Sequence, residues 1–249
     1  MFRFGWLVIV VFAVSLVGCV QGTTLVRPDG SSVSTSDLPM IGQHAKLPGY
    51  LAQHSEKRIG LAATPKNCPS SYAISWEGYD PYARSLNRCY GFIRNLLADY
   101  SAETLKKCDC VPVVRDHMIL REDILLREKK IAPIKIYTKQ KDGPITPIRG
   151  FLEFERYEVT RQKSRILNEK FEEICRGELN FSLGQGGFEL SCFAGSVIAK
   201  GVLTMNDVAT GFHAIGSGAL DTGEVFAFIT RLTDKEIDAR YPGFPGKNQ

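Results

Sequence analysis

The sequence predicts an α+β protein, with a small disulfide-stapled α/β unit followed by an antiparallel β meander or small barrel. Three observations carry that prediction. Six cysteines fall between Cys68 and Cys192, an even set suited to internal bridges. A strand, a helix, a short helix and a strand are crowded into about 55 residues from Cys68 onward. Beyond residue 149, short apolar-alternating segments recur between glycine-rich turns. The balance of 44% hydrophobic and 23% charged residues is that of an ordinary globular chain. A net charge of +4 over 249 residues is too slight to argue for nucleic acid as a partner.

The elements follow in order. Trp6 through Val17 are apolar except for Ser15, after a short start carrying Arg3. Crossing a bilayer takes roughly 20 apolar residues, so this run has the proportions of a signal-peptide core rather than a span. Leu16-Val17-Gly18-Cys19 comes directly after it. That tetrad resembles the lipobox of bacterial lipoproteins. The resemblance implies cleavage before Cys19, a diacylglycerol on its thiol, and a membrane anchor of two or three acyl chains. It also implies an envelope location, and Val20 in place of an aspartate points to the outer membrane, facing the periplasm. Residues 1–18 are then a signal peptide.

Residues 19–66 read as a lipidated N-terminus and flexible tether. From Val20 to Lys66 there are nine Ser or Thr, five Gly and four Pro, with Tyr50 the only aromatic. Such a segment cannot bury enough apolar surface to fold alone. A short helix near Leu51–Arg58 fits, and wrapping onto the folded body is the alternative.

Residues 67–120 form the α+β unit. Tyr72, Ile74 and Trp76 alternate with smaller residues, the period of a half-buried strand. Asp80-Pro81 offers a cap followed by proline at the first helical position. Leu86, Cys89, Tyr90, Ile93 and Leu97 then mark an amphipathic helix. Ser101 caps a second helix reaching Lys107, and Val111–Leu120 reads as a strand.

Residues 121–148 are a charged connector. Between Arg121 and Lys141 seven basic residues face three acidic ones. Attraction to anionic head groups is one reading; a solvated strand pair around Asp142-Gly143 is the preferred one. Residues 149–249 are the antiparallel β domain. Leu152 and Phe154 start it, Arg156–Lys170 is either helix or strand, and strands follow around residues 179–183, 188–192, 197–205, 211–217 and 224–232. Asp221-Thr222-Gly223 supplies a turn. The Cys…Gly…Gly…Cys…Gly spacing over about 60 residues resembles an uncharacterised envelope β domain of Gram-negative bacteria, a likeness that brings no activity with it.

Cys175 and Cys192 are expected to pair, because strand parity points both inward with their apolar neighbours. A hairpin centred on Gly184–Gly187 would instead set Cys175 opposite Ser196, so the pair needs a bulge, a longer loop or a barrel closure. Cys68 and Cys89 should each take one of Cys108 and Cys110, in an order the sequence leaves open. Cys108, Cys110 and His117 lack the spacing of a closed zinc site. No metal, no cofactor and no catalytic residue is assigned. His44 and His54 lie in the tether, and His117 and His213 on strands. Gly216-Ser217-Gly218 reads as turn chemistry, and Glu153 with Glu155 has no cleft beside it. The expected function is a non-enzymatic binding or structural module that contacts an envelope protein or cell-wall polymer. A hydrolase using His213 and Asp221 is the alternative, and a surface adhesin or inhibitor a weaker one.

Overall fold

The computed structural model describes residues 24–42, 47–53, 58–76, 78–139, 146–155, 161–182, 185–206 and 213–244. The first half contains β1 (Thr24–Val26), β2 (Ser32–Ser34), α1 (Pro39–Gly42), α2 (Leu47–Gln53), β3 (Gly60–Ala63), β4 (Tyr72–Ser75), α3 (Pro81–Leu96), α4 (Ala102–Lys107), β5 (Val111–Arg115), β6 (Met118–Ile119) and α5 (Glu122–Leu125). Its six strands line up as β2-β1-β6-β5-β3-β4. All neighbours are antiparallel except β1 and β6, where Val26 pairs with Met118 in parallel.

Local chemistry explains α3 and α4. The Asp80 carboxylate accepts from the Tyr82 and Ala83 amides at 3.0 and 3.1 Å, and Pro81 occupies the first turn, where its missing N–H costs nothing. Ser101 takes the Thr104 amide at 3.2 Å. Ser85, Cys89 and Ile93 recur every four residues as the buried stripe of α3, which packs on β3, β4 and β5. Val111–Leu120 is a hairpin rather than one strand. Asp116 and His117 take positive φ (47° and 67°) to turn β5 into β6, a conformation for which Asp and His are more tolerant than most residues.

The tether reading is overturned for the described part of residues 20–66. Leu25, Leu38, Ile41, Leu47, Leu51, Ile59 and Leu61 are fully buried in one core with Val113, Val114 and Ile119. Composition misleads here for a definite reason. A segment too poor in apolar residues to fold alone still completes a sheet when its few aliphatics sit at the right spacing and the rest of the core is supplied by later residues. Helices α1, α2 and α5 share that core with one face of the sheet.

The second half is β7 (Lys130–Lys139), β8 (Thr146–Phe154), β9 (Arg161–Asn168), β10 (Glu173–Ser182), β11 (Gln185–Cys192), β12 (Val197–Asn206), β13 (His213–Leu220), β14 (Val225–Thr230) and a final helix α6 (Asp234–Arg240). The eight strands form a closed barrel in chain order, and β14 returns to pair antiparallel with β7. The barrel therefore begins at residue 130, not 149. The connector's strand pair is real, but it is two staves of the wall, with Ala132, Ile134 and Ile136 turned inward and Ile131, Pro133, Lys135 and Tyr137 alternating with them on the outside. The charge count hid that alternation. Residues 161–168 are strand, which settles the helix-or-strand choice, and Gly216-Ser217-Gly218 lies within β13 rather than in a turn.

Side-chain parity fills the barrel. Phe188, Phe226 and Phe228 meet inside it, with centroids 5.2–6.3 Å apart. Room for them comes from glycine directly opposite. Gly216 pairs with Phe228, and a Cβ there would lie 2.2 Å from the ring; Gly201 pairs with both Phe188 and Gly218. Large-against-small pairing of this kind lets a small barrel close over a solid core.

The two halves share a core. Cys68, Cys89, Ile93, Leu97, Tyr100, Cys108 and Cys110 pack against Ile131, Phe151 and Leu167 from the outer wall of the barrel. Phe151 is stacked between Tyr100 and Phe171, at 5.5 and 5.0 Å. The Tyr100 hydroxyl donates to the Ile134 and Gly150 carbonyls at 3.0 and 2.9 Å, and burial pushes its pKa upward.

Candidate functional site

Three disulfides bond the six expected cysteines. Cys175 and Cys192 face one another directly, 3.9 Å apart at Cα, inside the barrel. Ser182 pairs with Gln185, so only residues 183–184 separate β10 from β11, and Gly186-Gly187 belong to the strand. The hairpin thus turns earlier than the glycine cluster suggests, and the four-residue offset disappears. Cys68 bonds Cys108 and Cys89 bonds Cys110. With both thiols of the Cys108/Cys110 pair consumed, neither is left as a metal ligand, and no metal-binding cluster occurs among the described residues. Cys19, His44, His54 and Asp142-Gly143 lie outside the described residues.

The residues of the hydrolase alternative are not brought together. His213 opens β13 and Asp221 follows its far end, about 25 Å away at ~3.3 Å per residue. His213 is 1% exposed and sits on the outer wall beneath the C-terminal segment, its Nε2 2.7 Å from the Tyr241 hydroxyl. Burial holds its pKa below the usual histidine value, and the nearby Arg240 adds to that. Asp221 is a turn residue whose amide donates to the Ile198 carbonyl. Glu153 is held by Lys129 and Arg165, at 2.9 and 2.8 Å. Inside the barrel, a void of about 10 Å³ remains between Leu152, Phe154, Leu179, Met205 and Phe228, room for a single water.

Two assemblies escaped the sequence reading. Lys135, 2% exposed on the outer wall, holds Asp99 and Asp234 at 2.7 Å each, and Arg149 reaches the second Asp234 oxygen at 2.9 Å. The Asp234 amide donates to Asp99 at 2.7 Å. Burial alone would raise the Asp234 pKa, but the bonds from Lys135 and Arg149 bring it below the usual carboxylate range. Nothing local signals this node, because its members lie 36 and 99 residues from Lys135. The Lys135 ammonium bridges both carboxylates and Arg149 joins them, so the node ties the α3–α4 connection, β7, β8 and α6 together.

The second assembly centres on Tyr82 in the first turn of α3. Two guanidinium groups approach the Tyr82 ring, Arg58 at 5.0 Å and Arg115 at 4.3 Å from its centroid, and the Tyr82 hydroxyl donates to Asp116. Arg115 pairs with Met118, and Met118 pairs with Val26. Met118 and Leu120 are 49% and 42% exposed. Arg27 binds Glu122 at 2.8 Å, holding the end of β1 to α5. This aromatic and cationic patch with two exposed apolar side chains is the chain's candidate contact surface.

No family model matches the chain, and no curated protein matches it significantly. Among solved structures, a redesigned β barrel is 11% identical over 42% of this chain and 90% of its own, with a TM-score of 0.33. A de novo designed fluorescence-activating β barrel is 15% identical over 41% of this chain and 91% of its own, with a TM-score of 0.30.

Proposed function

We propose that this chain is a lipid-anchored protein of a Gram-negative envelope, held in the outer membrane facing the periplasm through Cys19, and that it works as a non-enzymatic binding or structural module. The observation that carries the reading is the tetrad Leu16-Val17-Gly18-Cys19 at the end of a twelve-residue apolar run. Three disulfides suit an oxidising compartment and support it. The module reading draws support from a barrel packed with its own side chains and from acid–base candidates that stand apart. Its partner would be an envelope protein or a cell-wall polymer.

Acyl labelling tests the anchor. With Cys19→Ser, palmitate incorporation should vanish and the chain should leave the membrane fraction or stall as precursor. Undiminished incorporation would sink the lipoprotein reading. Capture from detergent-solubilised envelopes, with cell-wall fragments tested in parallel, then identifies the partner class.

A further inference from the structure

We propose that the uncovered half of the first sheet is the surface that lies on the lipid bilayer, with the barrel carried away from it. The proposal rests on the anchor at Cys19. Five peptide steps separate Cys19 from Thr24, where β1 begins, and five steps reach at most ~18 Å. A body on so short a leash keeps whichever face adjoins β1 near the head groups.

That face is identifiable from the register. Gly60 and Arg115 are paired across β3 and β5; a Cβ on Gly60 would meet α3, and Arg115 covers the ring of Tyr82 in α3. Arg115 is paired in turn with Met118, which places Met118 on the α3 side of the sheet. Helix α3 covers β3, β4 and β5, and Met118 is left half exposed beyond it. Val26 lies beside Met118 and is itself only partly covered. Leu120, two residues on, still donates to Val113 of β5. Arg58, Arg115 and Tyr82 of the first turn of α3 flank this apolar strip, Arg115 being the cross-strand partner of Met118.

The chemistry matches an interface rather than a soluble partner's pocket. Apolar tips reach the acyl boundary, while arginines and a tyrosine place polar ends among phosphates and aliphatic or aromatic bodies below them. Position supports it as well. Ser70, just before β4, donates to Ile131 of the barrel at 2.8 Å, so the barrel adjoins the β4 flank. Strands β1 and β6 lie toward the opposite edge. Phe193 and Val202, 50% and 63% exposed, belong to the β11–β12 part of the barrel, away from the β7, β8 and β9 residues that pack on the first half.

The test uses the full mature chain in vesicles of phosphatidylethanolamine and phosphatidylglycerol doped with a diazirine-bearing phospholipid. After illumination, peptides are mapped by mass spectrometry. Lipid adducts should be at least five-fold more frequent on the peptide holding Met118 and Leu120 than on those holding Phe193 or Val202. Met118→Glu with Leu120→Glu changes exposed side chains only, and it should cut the adduct yield at residues 80–120 at least five-fold while circular dichroism is unchanged. Even labelling, or labelling centred on the barrel, in a chain whose Cys19 peptide carries its acyl mass overturns the orientation alone. A Cys19 peptide without acyl mass overturns the anchor and this inference with it. Protein–protein adducts at Met118 that grow with protein concentration assign the face to a second copy and overturn the bilayer.

Discussion

His213 illustrates how a residue type suggestive of chemistry becomes a packing element. It projects outward at the start of β13, and the C-terminal segment, with Tyr241, closes over it. Because burial holds its folded pKa below the unfolded value, the unfolded chain takes up a proton first as pH falls. The stability from the neutral ring is whole above the ordinary histidine pKa of about 6.5 and is lost as pH drops through the lowered folded value. Denaturant midpoints measured from pH 7.5 to 5 should therefore decline, and His213→Gln should flatten that decline while keeping a hydrogen bond to Tyr241. An unchanged slope in the variant would assign the decline to other groups.

At the scale of elements, β1 shows that three residues can matter structurally while being invisible in composition. Leu25 is its single buried residue, with 0% exposure. It lies opposite Val33 of β2, and neighbouring Val26 meets Met118 of β6, so β1 bridges strands from both ends of the first half. Leu25→Ala should destabilise the protein by about 2–5 kcal/mol, as buried leucine truncations do. Chemical denaturation reads this directly. A shift within about 0.5 kcal/mol would mean that residues 24–26 behave as the flexible tether that composition alone suggests. The β10–β11 hairpin teaches the complementary lesson. Parity aimed Cys175 and Cys192 at the same interior correctly, whereas the turn position inferred from glycines did not hold, since Ser182 already pairs with Gln185 and Gly186 and Gly187 are strand residues.

For the whole molecule, the consequential feature is that the sheet unit and the barrel do not stand apart. Phe151, Ile131 and Leu167 of the barrel wall belong to the same core as the two disulfides of the first half, and Lys135 binds Asp99 across that seam. One cooperative unfolding transition is expected, with tryptophan fluorescence, which in the mature chain reports Trp76, coinciding with far-ultraviolet circular dichroism, which follows the strands. Lys135→Met removes the cation but leaves Asp99 and Asp234 facing each other. It should cost about 3 kcal/mol, the low end for breaking a buried pair, because Asp234 is partly exposed and water screens it. Two separated transitions in this variant would show that the node is what couples the halves; a single transition at an unchanged midpoint would show that the shared apolar core suffices without it.

Elements with local causes are legible in the order of residues alone. The cap at Asp80-Pro81 and the stripe through Cys89 and Ile93 specify α3, and period-two alternation specifies β4, β10, β11 and β12. An even set of cysteines with inward parity specifies the 175–192 bridge. Other features depend on partners distant in the chain and emerge only on folding. Closure of the barrel by β14 on β7, the choice of Cys108 for Cys68, and the pairing of Val26 with Met118 of β6 are each decided by residues far apart in sequence. So is the Lys135 node, whose carboxylates carry no local mark. Short-range signals fix backbone conformation and side-chain facing, because sterics and hydrogen bonding act over a few residues. Which faces then meet depends on the sum of buried area over the whole chain, and no window of the sequence contains that sum.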